Sequence, residues 1–330
     1  MKKIQLILTG GTFGMASSGK EPFKVSEIES TLLDHVPEIK QLAEISTVSI
    51  FNIDSSDIQP KHWVKISQQI EQSMPEFDGF VIIHGTDTMA YTATALSYML
   101  PGLKKPVILT GSQRPLGKIR SDARLNLINA VELATYQIPE VCICFANKLL
   151  RGNRSKKMSV NKFDAFDSPN FEPLANIGTS IEISDKIHSS HGLFQCLKTF
   201  ETSVMSFPIY PGVNPEELMF LADSNLKGII LESFGAGNVP IMNNSFVPLI
   251  KTLRNADKIV AIKSQCLYGK VDLGMYEGGS AALAAGAISC GDMTREASIV
   301  KLMFLLGNFP TNPMSIRENF VRSIAGELTE

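Results

Sequence analysis

The sequence is poor in cysteine and tryptophan, and it lacks any excess of basic residues. Its 330 residues include five cysteines and one tryptophan. The cysteines are odd in number and unevenly spaced, which is not typical of a disulfide framework, so we expect a reducing compartment and a cytoplasmic protein. Lysine and arginine number 31 against 33 aspartate and glutamate, a formal net charge of −2. Nucleic acid is therefore not an expected partner, because neutralising phosphates requires a basic excess.

Long apolar runs are also absent. No stretch approaches the roughly 18 apolar residues needed to cross a bilayer, so we expect no membrane partner. The start of the chain, Met1-Lys2-Lys3 followed by an apolar run, is similar to a secretory signal, but that run extends only from Ile4 to Leu8. It is shorter than the roughly 7–15 residues of a signal core. We expect a first buried strand there instead.

What is present is an ordinary globular composition, with 44% hydrophobic and 19% charged residues. The length suggests about two domains. Short apolar runs alternate with segments of helical period, which predicts an α/β fold with a parallel sheet and crossover helices. We expect a larger N-terminal domain over 1–185, a linker over 186–203 and a smaller C-terminal α/β domain over 204–330. The predicted strands are Ile4–Leu8, Val48–Ile53, Gly79–Ile83, Val107–Leu109, Val141–Phe145, Gly228–Leu231 and Ile259–Ile262. Capping residues and the helical spacing of apolar residues predict a helix from Ser26, a helix from Pro60 with Trp63, Ile66 and Ile70 on one face, a helix start at Asn214 and a helix over Glu296–Leu306.

Polar loops follow the first four predicted strands. Parallel strands end at the same edge of a sheet, where α/β proteins bind ligands, so we expect these four loops to form one crevice. Their glycines allow close approach of the backbone to a ligand, and their hydroxyls are potential nucleophiles. The loops are Thr9-Gly10-Gly11-Thr12, Asp54-Ser55-Ser56-Asp57, His84-Gly85-Thr86-Asp87-Thr88 and Thr110-Gly111-Ser112-Gln113-Arg114-Pro115.

Each of these features also has a purely structural interpretation. The glycine loop lacks the spacing of a dinucleotide or P-loop motif, and Asp54 could cap a helix ahead of Pro60. His84, on an apolar strand, is more often a satisfied core histidine than a ligand. His188 and His191 have a metal-like interval but no third ligand nearby, so no metal is expected. Serine-hydrolase and zinc-protease motifs are absent, which leaves a hydroxyl nucleophile on a glycine-rich loop.

The motifs together resemble the bacterial-type asparaginase family. Thr9-Gly10-Gly11-Thr12 and the His84–Thr88 segment correspond to its two signatures, in the right order. Further similarities cover nearly the whole chain, and two of them point to the cytosolic, type I branch: Asp54-Ser55-Ser56-Asp57 and Ser264-Gln265-Cys266. The remaining similar segments are Thr110–Pro115, Arg151-Gly152-Asn153-Arg154, Gly235-Ala236-Gly237-Asn238 and Gly326-Glu327-Leu328.

This resemblance implies two α/β domains and hydrolysis of L-asparagine to L-aspartate and ammonia through an acyl-threonine intermediate, without a cofactor. It also implies a homodimer or homotetramer whose active site lies between the N-terminal domain of one protomer and the C-terminal domain of its neighbour. Thr12 would be the nucleophile, supported by a triad of Thr86, Asp87 and Lys157. The residues implied in substrate binding are Asp54, Ser55, Ser56, Thr86, Asp87 and Asn238.

The sequence departs from the family pattern at a few positions. The family's loop tyrosine is missing, and the nearest aromatic residue is Phe23. Some type I enzymes have a regulatory asparagine site, whose positions here are Lys156, Glu232 and Cys266. Glu232 stands where those enzymes have an arginine, and a glutamate there would repel the carboxylate of the ligand. We therefore expect that asparagine does not bind as a regulator and that Lys156 and Glu232 pair with each other instead.

Two alternatives stay open at this point. The first is a glutaminase, or an amidase component that supplies ammonia to a tRNA-charging partner. One additional methylene in the substrate changes affinity by only about 1–3 kcal/mol, although a partner-dependent amidase would be expected to have further domain sequence. The second is a non-catalytic α/β protein that binds a small molecule. It leaves the combination of Thr12, Thr86, Asp87 and Lys157 without an explanation.

Overall fold

The computed structural model describes residues 1–11, 32, 34–188, 192–309 and 312–329. They divide into two compact units, unit 1 (Met1–Lys198) and unit 2 (Thr199–Glu330). The division falls inside the segment 186–203, which the sequence suggested as a linker. Residues just before the division belong to unit 1 because the backbone N–H groups of Gln195 and Leu197 donate to the carbonyl oxygens of Pro101 and Met99.

The strands of unit 1 are β1 (Lys3–Gly10), β2 (Glu44–Ile53), β3 (Gly79–Ile83), β4 (Val107–Thr110), β5 (Val141–Phe145), β6 (Lys148–Arg151), β7 (Lys156–Lys157), β8 (Phe166–Asp167), β9 (Ala175–Ile177) and β10 (Ile181–Ile183). Eight of them form one sheet with the order β10-β9-β6-β5-β4-β3-β1-β2. Strands β1 to β5 are parallel to one another, whereas β6, β9 and β10 pair antiparallel with their neighbours. A separate two-stranded ribbon pairs β7 with β8.

The parallel part of this sheet confirms the predicted strands, and the antiparallel extension is a correction to the prediction. The segment after β5 turns back at once instead of crossing over through a helix. Ala146, with φ of +53°, lies in the two-residue connection between β5 and β6. The antiparallel strands are three or four residues long and each includes a charged or amide side chain, so they lack the apolar runs from which the parallel strands were predicted.

Helices cover the apolar faces of the sheet. Within α2 (Pro60–Ser73), Trp63, Ile66 and Ile70 are buried, as their spacing predicted. Pro60 occupies the first turn, where its missing N–H costs nothing. The predicted helix from Ser26 lies largely outside the described residues, although Leu32 and Val36 belong to the core. The helices of unit 1 are α1 (Ile39–Leu42), α2 (Pro60–Ser73), α3 (Met89–Met99) and α4 (Ala123–Leu133).

Unit 2 has its own four-stranded parallel sheet and its own core. The predicted helix start at Asn214 is confirmed, because its side chain accepts a hydrogen bond from the N–H of Glu216, but the segment Pro215–Ala222 is a 3-10 helix. The predicted helix Glu296–Leu306 lies within α7. The elements are β11 (Val204–Pro208), β12 (Gly228–Ser233), α5 (Val247–Asn255), β13 (Ile259–Ser264), α6 (Glu277–Ala284), β14 (Ile288–Ser289), α7 (Arg295–Asn308) and α8 (Pro313–Phe320).

None of the helices in the part of the chain that the structure describes is long and apolar enough to span a membrane.

Candidate active site

The site lies where the strand order of unit 1 reverses. Strands β2, β1, β3, β4 and β5 are neighbours in that order. The chain passes from β1 to β2 on one side and from β3 to β4 on the other side, so a crevice opens between β1 and β3. Two glycines meet there. A Cβ atom on Gly11 would lie 2.4 Å from the Cα of Gly85, and Gly11 has φ of +85°. Only glycine allows the two loops to approach this closely.

A third loop joins this contact through Ser55. A Cβ atom on Gly85 would lie 2.7 Å from the side chain of Ser55. The Ser55 hydroxyl oxygen accepts the N–H of Asp87 at 3.2 Å, and the Thr88 hydroxyl donates to the Ser55 carbonyl oxygen at 2.6 Å. The loop after β2 therefore holds the backbone of the loop after β3, in which Thr86 and Asp87 lie.

Lys157 completes a cluster with those two side chains. Its Nζ lies 2.8 Å from Oγ1 of Thr86 and 2.7 Å from Oδ1 of Asp87. The lysine side chain is 18% exposed and the aspartate side chain 64% exposed. The structure thus brings together three of the four predicted catalytic residues, with the carboxylate on the side open to a ligand. Thr12, the fourth, lies outside the described residues.

The segment that carries Lys157 is anchored deep in unit 1. Arg151, at the end of β6, forms a buried bidentate pair with Glu140, with distances of 2.6 and 3.1 Å. A 3-10 turn, Gly152–Arg154, leads from there to β7. The Ser155 hydroxyl donates to the Arg151 carbonyl oxygen at 2.7 Å. A rigid base of this kind limits the positions that the Lys157 amine can reach.

Asp54 and Ser56 are exposed residues in the loop after β2. Oδ1 of Asp54 accepts both the N–H and the hydroxyl of Ser56, at 2.8 and 2.7 Å. The bonds from the Ser56 backbone and side chain lower the pKa of Asp54, which keeps the carboxylate charged. Asp54 is the N-cap of the short 3-10 helix Ser55–Asp57, whereas the N-cap of the helix that begins at Pro60 is Gln59. Asp54 therefore does cap a helix, but not the one at Pro60. Its exposure leaves the carboxylate accessible to a ligand.

The structure confirms that His84 is a core histidine whose two ring nitrogens both have hydrogen-bond partners. Its Nδ1 lies 2.7 Å from the Gly85 carbonyl oxygen and its Nε2 lies 2.9 Å from Oγ1 of Thr92. The Thr92 oxygen also accepts the indole N–H of Trp63 at 3.1 Å. Burial lowers the pKa of His84 to about 4, against the opposing effect of the Gly85 bond. A neutral imidazole with its proton on Nδ1 satisfies all these contacts.

The remaining predicted residues lie elsewhere, except Lys156, which precedes Lys157 on β7. Asn238 lies in unit 2, in a turn closed by hydrogen bonds between its backbone and that of Phe234. Glu232, also in unit 2, is buried. It accepts the Ser206 hydroxyl at 2.6 Å and pairs with Arg295. Cys266 is exposed. The predicted Lys156–Glu232 pair stays a prediction, and Phe23 lies outside the described residues.

The residues that support the loop after β4 were not predicted from the sequence. Both carboxylate oxygens of Asp122 accept the backbone N–H of Gln113, at 3.1 and 2.9 Å, and Oδ1 also accepts that of Arg114. Eight or more residues separate Asp122 from its partners, so no short motif indicates the contact. Across the described ranges, no group of three or more histidine, cysteine, aspartate or glutamate side chains is placed to hold a metal ion.

Comparison with known proteins agrees with this architecture. The family model described as "Asparaginase, N-terminal" matches residues 3–189, and that described as "Glutaminase/Asparaginase C-terminal domain" matches residues 203–320. The chain is 39% identical to L-asparaginase 1 of Escherichia coli K12, over 99% of this chain and 98% of that protein. It is 36% identical to a component of the glutamyl-tRNA(Gln) amidotransferase of Pyrococcus abyssi, over 100% of this chain and 77% of that one.

A solved structure gives the same result. The thermostable L-asparaginase of Thermococcus kodakarensis superposes with a TM-score of 0.92 at 35% identity, over 99% of both chains. Fold and site therefore define a two-domain α/β protein with a polar site at the carboxyl edge of its larger sheet. The chain belongs to the bacterial-type asparaginase family.

The pKa of His84 predicts a dependence of stability on pH. An unfolded histidine binds its proton near pH 6.5, whereas folded His84 does so near pH 4. Between these values the unfolded state binds more protons, so the free energy of unfolding falls as the pH is lowered. We expect the contribution of neutral His84 to be complete above pH 6.5 and to be lost as the pH falls to about 4, a loss of about 3 kcal/mol.

Urea unfolding of the wild type and His84→Gln between about pH 4 and pH 7 tests this expectation. The variant should lose less stability on acidification because glutamine does not titrate. His62→Gln is the matched control, since His62 is only partly buried and should contribute a smaller pH dependence. Equal pH dependence in the wild type and His84→Gln would contradict the assignment of a neutral buried histidine.

Proposed function

We propose that this protein hydrolyses the side-chain amide of L-asparagine to give L-aspartate and ammonia. The observation that carries the proposal is the contact of Lys157 with both Thr86 and Asp87 at the switch point of the sheet, in a chain of the asparaginase family. An amide is a weak electrophile, so a hydroxyl nucleophile needs a base and a stabilised oxyanion. The cluster offers an amine for the first task.

In this proposal Thr12 is the nucleophile, because it follows Gly11, whose backbone lies against Gly85. The threonine oxygen forms an ester with the side-chain carbonyl carbon, the C–N bond breaks, and the nitrogen leaves as ammonia with the proton from the hydroxyl. Water then hydrolyses the ester to release aspartate and restore the threonine. Lys157 moves the proton in both steps, held by Thr86 and Asp87.

The α-amino and α-carboxylate groups of the substrate need fixed partners of opposite charge. The exposed carboxylates of Asp54 and Asp87 suit the ammonium group. The Ser55 hydroxyl offers a donor for the carboxylate. The Ser56 hydroxyl, which donates to Asp54 in the structure, would exchange that bond for one to the substrate. Ser55 is fixed by its bonds to the loop after β3, so its position is set before substrate arrives.

Glutamine hydrolysis is the second candidate, favoured by the 36% identity to an amidotransferase component. The two substrates differ by one methylene group, for which a pocket discriminates by only about 1–3 kcal/mol. Separate measurements of ammonia release from asparagine and from glutamine distinguish these activities.

We further propose that the protein assembles as a dimer or tetramer, in which unit 2 of a partner copy contributes Asn238 to the site. Large apolar side chains are exposed in the loops that follow the strands of unit 2. Aromatic residues and methionine at the surface are typical of protein interfaces. The exposed residues are Tyr210, Phe234, Met242, Leu267, Tyr268, Met275 and Tyr276.

A cytoplasmic location is also part of the proposal. The five cysteines are free thiols, three of them buried. Burial raises the pKa of Cys144 beyond its usual range and that of Cys290 to about 12, so these thiols are unreactive. A set of free thiols is typical of proteins from reducing compartments.

Substitution of the base is the first test of the function. Lys157→Met should lower kcat for asparagine by about 10²–10⁴-fold because proton transfer loses its partner, and Thr12→Ala should abolish turnover. Lys162→Met is the matched control, since Lys162 is an exposed lysine in the same hairpin. Ammonia release is the measurement. Full activity in Thr12→Ala would mean that another residue is the nucleophile.

Mixed assemblies test whether a partner copy completes the site. Lys157→Met and Asn238→Ala should each impair the pure protein, but co-expression should restore part of the activity. A mixed dimer has one site that combines wild-type Lys157 from one copy with wild-type Asn238 from the other. No recovery in purified mixed assemblies would mean that each site is built from a single chain.

The form of the velocity curve tests the predicted absence of regulation by asparagine. Glu232 places a buried carboxylate, already paired with Arg295, where the resemblance calls for an arginine. A carboxylate there repels a ligand carboxylate, so we expect a hyperbolic curve with a Hill coefficient of about 1. A sigmoidal curve that persists at several enzyme concentrations would contradict this expectation.

A further inference from the structure

Gln113 connects two parts of the site that are distant in sequence. It follows β4 and its backbone N–H is held by Asp122, at 2.9 Å in the shorter contact. Its side-chain Nε2 lies 3.3, 3.2 and 3.1 Å from the carbonyl oxygens of Ser159, Val160 and Lys162. These three residues form the turn of the hairpin that begins with Lys157. One amide group therefore ties this turn to the edge of the sheet.

The three carbonyl contacts fix the orientation of the amide. Carbonyl oxygens accept hydrogen bonds, so the group that faces them is the NH2 and the opposite side presents Oε1. Oε1 lies 3.4 Å from Oγ1 of Thr86, a long hydrogen bond in which the threonine donates. Oγ1 of Thr86 also accepts from Nζ of Lys157 at 2.8 Å. The direction of donation therefore runs from Lys157 through Thr86 to Gln113.

This direction matters for a lysine that acts as a base. A neutral amine has two protons and one lone pair, and the two protons suit Thr86 and Asp87, at 2.8 and 2.7 Å. The lone pair then stays available for the proton of a nucleophile. If the acceptor at Gln113 were absent, the Thr86 hydroxyl could turn its proton toward Lys157 and occupy that lone pair.

Among the described residues, backbone contacts support the hairpin near its strands. Lys157 pairs with Phe166, and the N–H of Met158 donates to the Ala165 carbonyl oxygen at 2.7 Å. Beyond that point the described residues of the turn are mostly exposed. Within the turn, the hydroxyl oxygen of Ser159 accepts hydrogen bonds from the N–H groups of Asn161 and Lys162. The Gln113 amide supplies the described side-chain contacts between the turn and the sheet edge.

We propose that Gln113 is a positioning residue for the reaction: its amide holds the Lys157 hairpin in place and directs the Thr86 proton away from the Lys157 amine. The inference rests on the proposed function, since it assigns Gln113 a task in proton transfer by Lys157. Gln113 thus has two separate tasks: it holds the Lys157 hairpin, and it sets the direction of the Thr86 hydrogen bond.

Two substitutions of Gln113 test these two tasks. Gln113→Met keeps the length of the side chain but removes both donor and acceptor. We expect kcat to fall about 10–100-fold with KM within about threefold, because misplacement of a catalytic group affects chemistry more than binding. Gln113→Glu loses the NH2 group as well but keeps an acceptor for Thr86, so its difference from Gln113→Met reports on the acceptor, and it adds a negative charge that favours the ammonium form of lysine. It should move the acid limb of the kcat profile up by about one pH unit.

A second readout does not require turnover. The rate at which acetic anhydride acylates Lys157, measured at several pH values by peptide mass spectrometry, should differ from the wild-type rate in both Gln113 variants. It should equal the wild-type rate in Arg114→Met, because Arg114 is an exposed neighbour of Gln113. If the wild type fails to hydrolyse asparagine, the proposed function is wrong, while this acylation still tests Gln113. Two results would overturn the inference: acylation and kcat in Gln113→Met equal to those of the Arg114→Met control, or activity losses that follow thermal stability with unshifted pH profiles.

Discussion

The close contact between Gly11 and Gly85 is the constraint on which the site depends. A side chain at either position would separate the loops after β1 and β3, because the distances available to a Cβ atom are 2.4 Å at Gly11 and 2.7 Å at Gly85. With no side chains between them, three loops share one small volume. Ser55 fills the remaining space and bonds to the backbone of Asp87 and to the hydroxyl of Thr88. The backbone of Asp87 is thus held in place by Ser55.

Lys157 reaches the site from a different part of the chain. It lies on the separate β7–β8 ribbon, which the chain reaches from β5 through the antiparallel strand β6 and the 3-10 turn Gly152–Arg154. The buried Glu140–Arg151 pair stabilises the start of this path, where removal of one partner alone would leave an uncompensated charge. Gln113 holds the other end of the hairpin. A lysine side chain is long and mobile, so supports at both ends of its segment limit the geometry that Thr86 and Asp87 then complete.

The two units divide the chemistry between them in the proposed function. Unit 1 carries the cluster that moves the proton, on a sheet whose buried histidine stays neutral because burial lowers its pKa to about 4. Unit 2 presents apolar and aromatic side chains around the carboxyl edge of its parallel sheet, together with Asn238. The buried carboxylate of Glu232 is balanced locally, because Arg295 supplies a positive charge from the start of α7.

The amino-acid sequence by itself determined the α/β class, the parallel strands β1 to β5 and the loops that carry the polar residues. These follow from local patterns: apolar runs of strand length, helical periodicity and glycine at strand ends. The antiparallel strands β6, β9 and β10, the hold of Asp122 on Gln113 and the bridge from Gln113 to the Lys157 hairpin were decided by the tertiary structure alone. Each of them joins residues that are distant in the chain, and a short-range pattern carries no information about which distant segments pair. Strand order and hairpin geometry fix those contacts, so they exist only once the chain has folded.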